Sequence, residues 1–198
     1  MEKEKYNLEK CREICEMTLT NYINMKKRLS LREKKSNFIL IYYSAYIIIA
    51  SLTPKYFQNY NSELNEYFNI VISLILLNFS LINGNAHYGE RIMKLEISIN
   101  KLKTLKRKSN EELKPNEVGD CCKNETSKFM EIYNNVVDSS EMRSDRDFYL
   151  TVKQKGLFGK YHLNMFYEEL LRLLSFMLYV VIFLIPVVLF LICLKKEL

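Results

Sequence analysis

Three charge-free apolar runs, at 37–53, 68–82 and 173–194, interrupt an otherwise very polar chain, and they restrict its possible folds more than any other feature. A water-soluble core is built from segments with one polar face, whereas runs apolar on every side suit a bilayer. The implied fold is an all-α membrane protein: a transmembrane helical hairpin extended by long cytoplasmic helices, plus a C-terminal third transmembrane helix. Its expected divisions are a cytoplasmic amphipathic helix at 1–36, the hairpin at 37–83, a cytoplasmic helical region at 84–172, and the last span at 173–194.

Charge orients these parts. Lys26, Lys27, Arg28, Arg32, Lys34 and Lys35 crowd the start of the first run, while the connector at 54–67 carries Lys55 as its one basic residue, beside Glu63 and Glu66. By the positive-inside rule the N-terminus lies in the cytoplasm and the connector outside. The second run returns the chain to a region rich in lysine and arginine. The third, which contains Pro186, should then end outside, although Lys195 and Lys196 pull against that direction.

Outside the runs, apolar residues recur in three- and four-residue steps. Leu8, Cys11, Cys15, Thr18, Tyr22, Met25 and Leu29 form one seam, and Tyr88, Ile92, Leu95, Ile99 and Leu102 form another. The two suit antiparallel, coiled-coil-like pairing. The stretch at 68–108 reads as one continuous helix leaving the membrane as a stalk, with Gly84 and Gly89 as weak breakers. Phe129, Ile132, Tyr133, Val136 and Val137 mark a further amphipathic helix. Pro115 and Gly119 place a loop at 110–120, and Gly156 and Gly159 punctuate a turn.

No phosphate-binding, dinucleotide-binding, zinc-protease or nucleophile-elbow motif occurs, so no enzyme, catalytic residue, cofactor or metal site is expected. Cys11 with Cys15 and Cys121 with Cys122 could be drawn as four zinc thiolates, but neither pair has the usual two-residue separation, and reduced apolar packing is the simpler role. His87 and His162 stand near membrane boundaries, either as interfacial side chains or as a pH-sensitive gate. The basic run Lys101, Lys103, Lys106, Arg107 and Lys108 is a candidate partner or lipid surface, or simply a solvated face. No aromatic residues interleave with it, which argues against direct nucleic-acid binding.

Within the spans, Asn37, Ser44 and Ser51 fall on one stripe of the first helix. Asn69, Ser73, Ser80 and Asn83 fall within about a quarter of the second helix's circumference, with Asn78 opposite. These residues are candidates for helix packing or for lining a pore shared by several copies, which makes a homo-oligomer an expected partner.

The order of parts resembles the SLATT proteins, the SMODS- and SLOG-associating two-transmembrane effectors of bacterial conflict systems. The resemblance is carried by KKRLSLREKK at 26–35, NAHYGERIMKL at 85–95, FMEIYN at 129–134 and the Asp147-Phe148-Tyr149 element, over roughly 5–155. The family often shows an Asn-His pair ahead of the last element; Ser139 and Ser140 stand near that place here, so no histidine role carries over. The third span is similar to a branch often encoded beside reverse transcriptases. The resemblance implies an antiviral effector of the bacterial inner membrane. It would form pores or disrupt the membrane when a sensor, reverse transcriptase or nucleotidyltransferase encoded nearby is activated, ending in abortive infection. A non-conducting anchor that recruits such a partner is the alternative.

Overall fold

The computed structural model describes residues 2–56, 61–112, 122–141, 144–156 and 162–194. Six α-helices follow in order: α1 (Glu2–Leu52), α2 (Ser62–Asn85), α3 (Tyr88–Glu112), α4 (Cys122–Asp138), α5 (Asp145–Gln154) and α6 (His162–Leu194), with a 3-10 turn at Thr53–Lys55 after α1. Among the described residues there is no strand. Three helices are long and apolar enough to cross a membrane, the last of them at the C-terminus. This is an all-α membrane protein.

The chain divides into two compact units: Met1–Ser30 with Tyr88–Asn164, and Leu31–His87 with Met165–Leu198. In the first, polar unit, the core is the two expected seams, with Leu19 and Leu105 added. Cys15, Leu19, Tyr22, Met25 and Leu29 from α1 close on Leu95, Ile99, Leu102 and Leu105 from α3, and on Phe129 and Val136 from α4. Each of these helices has one apolar stripe, and packing the stripes together is the way to remove them from water. Direction is fixed by polar contacts along the edges. Arg12 meets Asn110, Glu16 meets Lys106 and Lys26 meets Glu96, so α3 runs antiparallel to α1. Thr18 with Tyr133 and Tyr22 with Ser140 set α4 parallel to α1. Ile132, one of the residues that mark the amphipathic helix α4, is 47% exposed.

The apolar unit is built differently. Pro54 cannot continue α1, and Thr53 turns its hydroxyl to Ile49 O at 2.8 Å, closing the last turn. Asn61 starts α2 as its N-cap, its side-chain oxygen accepting from Leu64 N at 3.1 Å. The helix therefore begins six residues before the apolar run at 68. Asn65 donates to Ala50 O at 3.0 Å, tying the first turn of α2 to the last turns of α1. Tyr43, Tyr46, Ala50 and Ile72 form the buried centre, with Leu189 and Phe190 of α6 packed against it.

One expectation fails. The stretch 68–108 is two helices, not one, because α2 ends at Asn85 and α3 starts at Tyr88. The breaker is neither glycine. His87 takes a left-handed conformation with φ 45°, and its N–H reaches Gly84 O at 3.4 Å. A left-handed residue after the last helical turn is a common helix stop, and histidine tolerates it better than branched residues do. Gly84 and Gly89 remain helical.

Candidate functional site

The intramembrane stripes of α1 and α2 face each other at both ends of the hairpin. At the connector end Asn69 donates to Ser51 Oγ at 3.4 Å, and at the other end Asn83 donates to Asn37 Oδ1 at 3.2 Å. A side-chain hydrogen bond between membrane helices contributes modestly, about 0.6 kcal/mol, but it resists sliding of one helix along the other. Between these clasps Ser44, Ser73 and Ser80 are exposed. Ser44 turns its hydroxyl to Leu40 O at 2.8 Å and Ser73 to Asn69 O at 2.7 Å, each within its own helix. Asn78 is exposed and donates to Leu74 O at 2.9 Å. The carbonyl oxygens of the Asn69 and Asn83 side chains are buried with no donor among the described residues.

The third span is held against α1 by a device that sequence reasoning missed. Pro186 lies inside α6 and has no N–H, so the carbonyl four residues earlier, that of Ile182, lacks its helical donor. Tyr43 supplies one: its hydroxyl donates to Ile182 O at 2.7 Å, and Tyr42 donates to Phe183 O at 3.1 Å. The rings of Tyr42 and Phe183 stack with centroids 4.5 Å apart. Lys35 sits 5.2 Å over the Tyr179 ring, and Asn61 N–H donates to Cys193 O at 3.1 Å. These contacts advance together along both helices, so α6 runs parallel to α1 and Cys193 ends beside the α1–α2 connector. The sequence signal was the i to i−4 relation between Pro186 and Ile182 together with tyrosines in an otherwise aliphatic span. Lys195 and Lys196 lie outside the described residues.

In the polar unit the basic run divides among faces. Lys106 is half-buried and pairs with Glu16 at 3.4 Å, and Arg107 lies 4.0 Å from Glu111 one turn along. Lys101, Lys103 and Lys108 are exposed without an ion pair among the described residues. Lys101 and Lys108 line a groove with Ile97, Leu105 and Ile132, whereas Lys103 points away from it by helical spacing.

Sequence reasoning also missed a buried ion pair. Arg28 binds Asp147 through two bonds, Nε to Oδ1 at 3.1 Å and a terminal nitrogen to Oδ2 at 2.8 Å. The Asp147 side chain is 0% exposed. Its Oδ2 also accepts from Ser144 Oγ at 3.0 Å and from Ser144 N at 3.4 Å, which caps α5. One turn away on each helix, Asn24 donates to Thr151 at 3.1 Å and to Gln154 at 3.3 Å. Asn24 and Arg28 thus grip Asp147, Thr151 and Gln154 along one face of α5. The clue was present as Asn21, Asn24 and Arg28 in steps of three and four beside the seam, but its partner is 119 residues away.

The cysteines behave as packed thiols. Burial raises Cys11 and pushes Cys15 up to about 11, although the Lys106 ammonium acts the other way on Cys15. Cys15 contacts Leu102 O at 3.7 Å. Cys121 and the side chain of Cys122 lie outside the described residues, as does the side chain of His162; His87 is exposed at the helix break.

The chain belongs to the SMODS and SLOG-associating 2TM effector domain family 5, whose model matches residues 4–192. The match extends well past the 5–155 expected from the short motifs and takes in α6. No curated relative and no solved structure matches the chain. Membership makes this protein a membrane effector of the conflict-system type. The motifs that carried the resemblance also meet one another in the polar unit: Arg28 holds Asp147, and Lys26 reaches Glu96 at 3.1 Å just beyond the second motif.

Proposed function

We propose that this protein is a pore-forming effector of the bacterial inner membrane, with its N-terminus in the cytoplasm. Several copies join through the spans, and a partner sensor acting on the cytoplasmic helices opens a polar path. Collapse of the ion gradient then arrests or kills the infected cell and limits phage spread. The observation that carries this reading is the exposed serine set, Ser44, Ser73 and Ser80, spaced along the hairpin between two amide clasps. Hydroxyls on an exposed membrane face can turn to a neighbouring copy or to water. The side-chain carbonyls of Asn69 and Asn83, which have no donor among the described residues, add support, since a rearranged assembly can satisfy them.

Reconstitution into liposomes with the activated partner tests this directly. We expect dissipation of an imposed ion gradient, lost in the Ser73→Leu/Ser80→Leu variant while the assembly keeps its size. A gradient that survives in the presence of the activated partner ends the pore reading. A non-conducting anchor that recruits a cytoplasmic partner, such as a reverse transcriptase, is the second reading. It is favoured by the Ser44 and Ser73 hydroxyls being already satisfied by their own helices. Partner recruitment without flux would establish it.

A further inference from the structure

In the polar unit, α3 and α4 leave neighbouring apolar side chains uncovered beside their shared core. Met93 and Ile97 on α3 are 65% and 46% exposed, and Ile132 on α4 is 47% exposed, although its neighbours Phe129 and Val136 are buried. Ile97 and Ile132 stand on the walls of a groove of about 450 Å³ whose floor is Leu105. Ile97 and Ile132 share this groove, so their exposure is contiguous rather than scattered singly over the surface.

The rim states what would dock. Lys101 and Lys108 border the groove from α3, and Lys128 lies one turn before Ile132 on the same face of α4, exposed. None of the three has an ion pair among the described residues, while nearby Glu111 is engaged by Arg107. The groove therefore presents an apolar floor between unneutralised cations. From Ile97 to Lys108 it extends about 16 Å at 1.5 Å per residue, the length of three helical turns.

We infer that the α3–α4 groove docks an acidic amphipathic helix of a partner protein, its apolar side on Ile97, Leu105 and Ile132 and its carboxylates on Lys101 and Lys108. Such a helix needs apolar residues at i, i+3 or i+4 and i+7, flanked by glutamate or aspartate. The apolar floor supplies affinity, and the lysines select against basic or neutral helices and speed encounter at low salt. Lys103 takes no part, because it lies on another face of α3. This surface would be where a partner acts in the reading above, but it rests on the geometry of the polar unit alone.

The test uses the full chain in zwitterionic nanodiscs, with empty discs as the blank. The probe is a fluorescein-labelled twelve-residue helical peptide carrying leucine at positions 1, 4, 5 and 8 and glutamate on the flanks. Saturable binding by anisotropy is expected. It should weaken at least tenfold in Lys101→Glu/Lys108→Glu and in Ile97→Gln/Ile132→Gln, and stay unchanged in Lys103→Glu. A peptide with lysine for glutamate should bind at least tenfold more weakly. Lys101→Gln/Lys108→Gln, which removes charge without reversing it, guards against misfolding and should show an intermediate loss with unchanged helix content. Absence of saturable binding overturns the inference, as does equal binding of the basic peptide or unchanged affinity in both lysine variants. If Ile97→Gln/Ile132→Gln changes the oligomer size and leaves peptide binding unaltered, the groove is a contact between copies and the inference is wrong. No flux is read, so a chain that conducts without binding loses this surface alone, and one that binds without conducting loses the pore alone.

Discussion

The two units solve the same problem, helix against helix, by opposite means. In the polar unit, apolar seams from α1, α3 and α4 close on each other, polar contacts along the edges set direction, and one buried ion pair anchors α5. In the apolar unit, hydroxyls and amides reach backbone carbonyls on neighbouring helices, while most of the large apolar side chains of α2 and α6 face outward. The surroundings explain the contrast. Water makes apolar burial favourable by roughly 25 cal/mol per Å², so a seam is sufficient glue. Lipid is as apolar as leucine, so packing leucine against leucine gains little and the polar groups must specify the fit.

The largest test of this contrast is Asp147→Ala, which leaves Arg28 without its buried partner. It should cost about 3–5 kcal/mol in the polar unit, because the remaining charge stays partly desolvated. Denaturant titration in nanodiscs, followed by tyrosine emission, would show an earlier transition for this variant; an unshifted midpoint would mean α5 is not anchored there. The chain has no tryptophan, so its 14 tyrosines dominate the signal.

Cys15 offers a pH test of the aqueous seam, since it lies in the charged part of α1 outside the spans. Its thiol is pushed up to about 11 by burial, from an ordinary value of 9.0. Below pH 9 both states hold the proton and the contribution is fully present. Between pH 9 and 11 the unfolded thiol ionises first, so stability falls by roughly 2–3 kcal/mol across that window. Lysines and tyrosines titrate there too, so the quantity to measure is the difference in slope between the native chain and Cys15→Ala. Identical slopes would show that the thiol ionises without unfolding.

The smallest effect concerns the membrane clasp. Tyr43→Phe removes the donor to Ile182 O and should cost about 1–2 kcal/mol, in the range for losing the partner of a buried acceptor. Pro186→Ala returns a backbone N–H to that carbonyl, so in its background Tyr43→Phe should cost much less. Coupling of about 1 kcal/mol in the double-mutant cycle, measured by unfolding in mixed micelles, would confirm that the tyrosine compensates for the proline. Purely additive losses would assign Tyr43 to packing alone.

Legibility followed the same division. The seams of α1 and α3 were readable because their period is written locally, and every residue assigned to them is buried or half-buried. The amphipathic helix marked by Phe129, Ile132 and Val136 forms as α4, yet Ile132 stays exposed: spacing identifies a face, but the position of the neighbouring helix decides how much of that face is covered. The stop at His87 was missed because a left-handed histidine leaves no compositional mark, whereas glycine advertises a break it does not make here. The polar stripe residues were recognisable as a set, but their division into clasped amides and exposed serines was not.

The sequence by itself determined the class: three apolar runs require membrane helices, and two heptad-like seams require helices that pair in water. Both follow from local periodicity and from the solvent each face demands. Only the tertiary structure decided which polar groups meet. Arg28 with Asp147, Asn83 with Asn37, and Tyr43 with the carbonyl freed by Pro186 join segments from 46 to 139 residues apart. A hydrogen bond depends on the position of one donor and one acceptor to within a fraction of an ångström. Periodicity brings the right faces together but leaves that last choice to the packing of the whole chain.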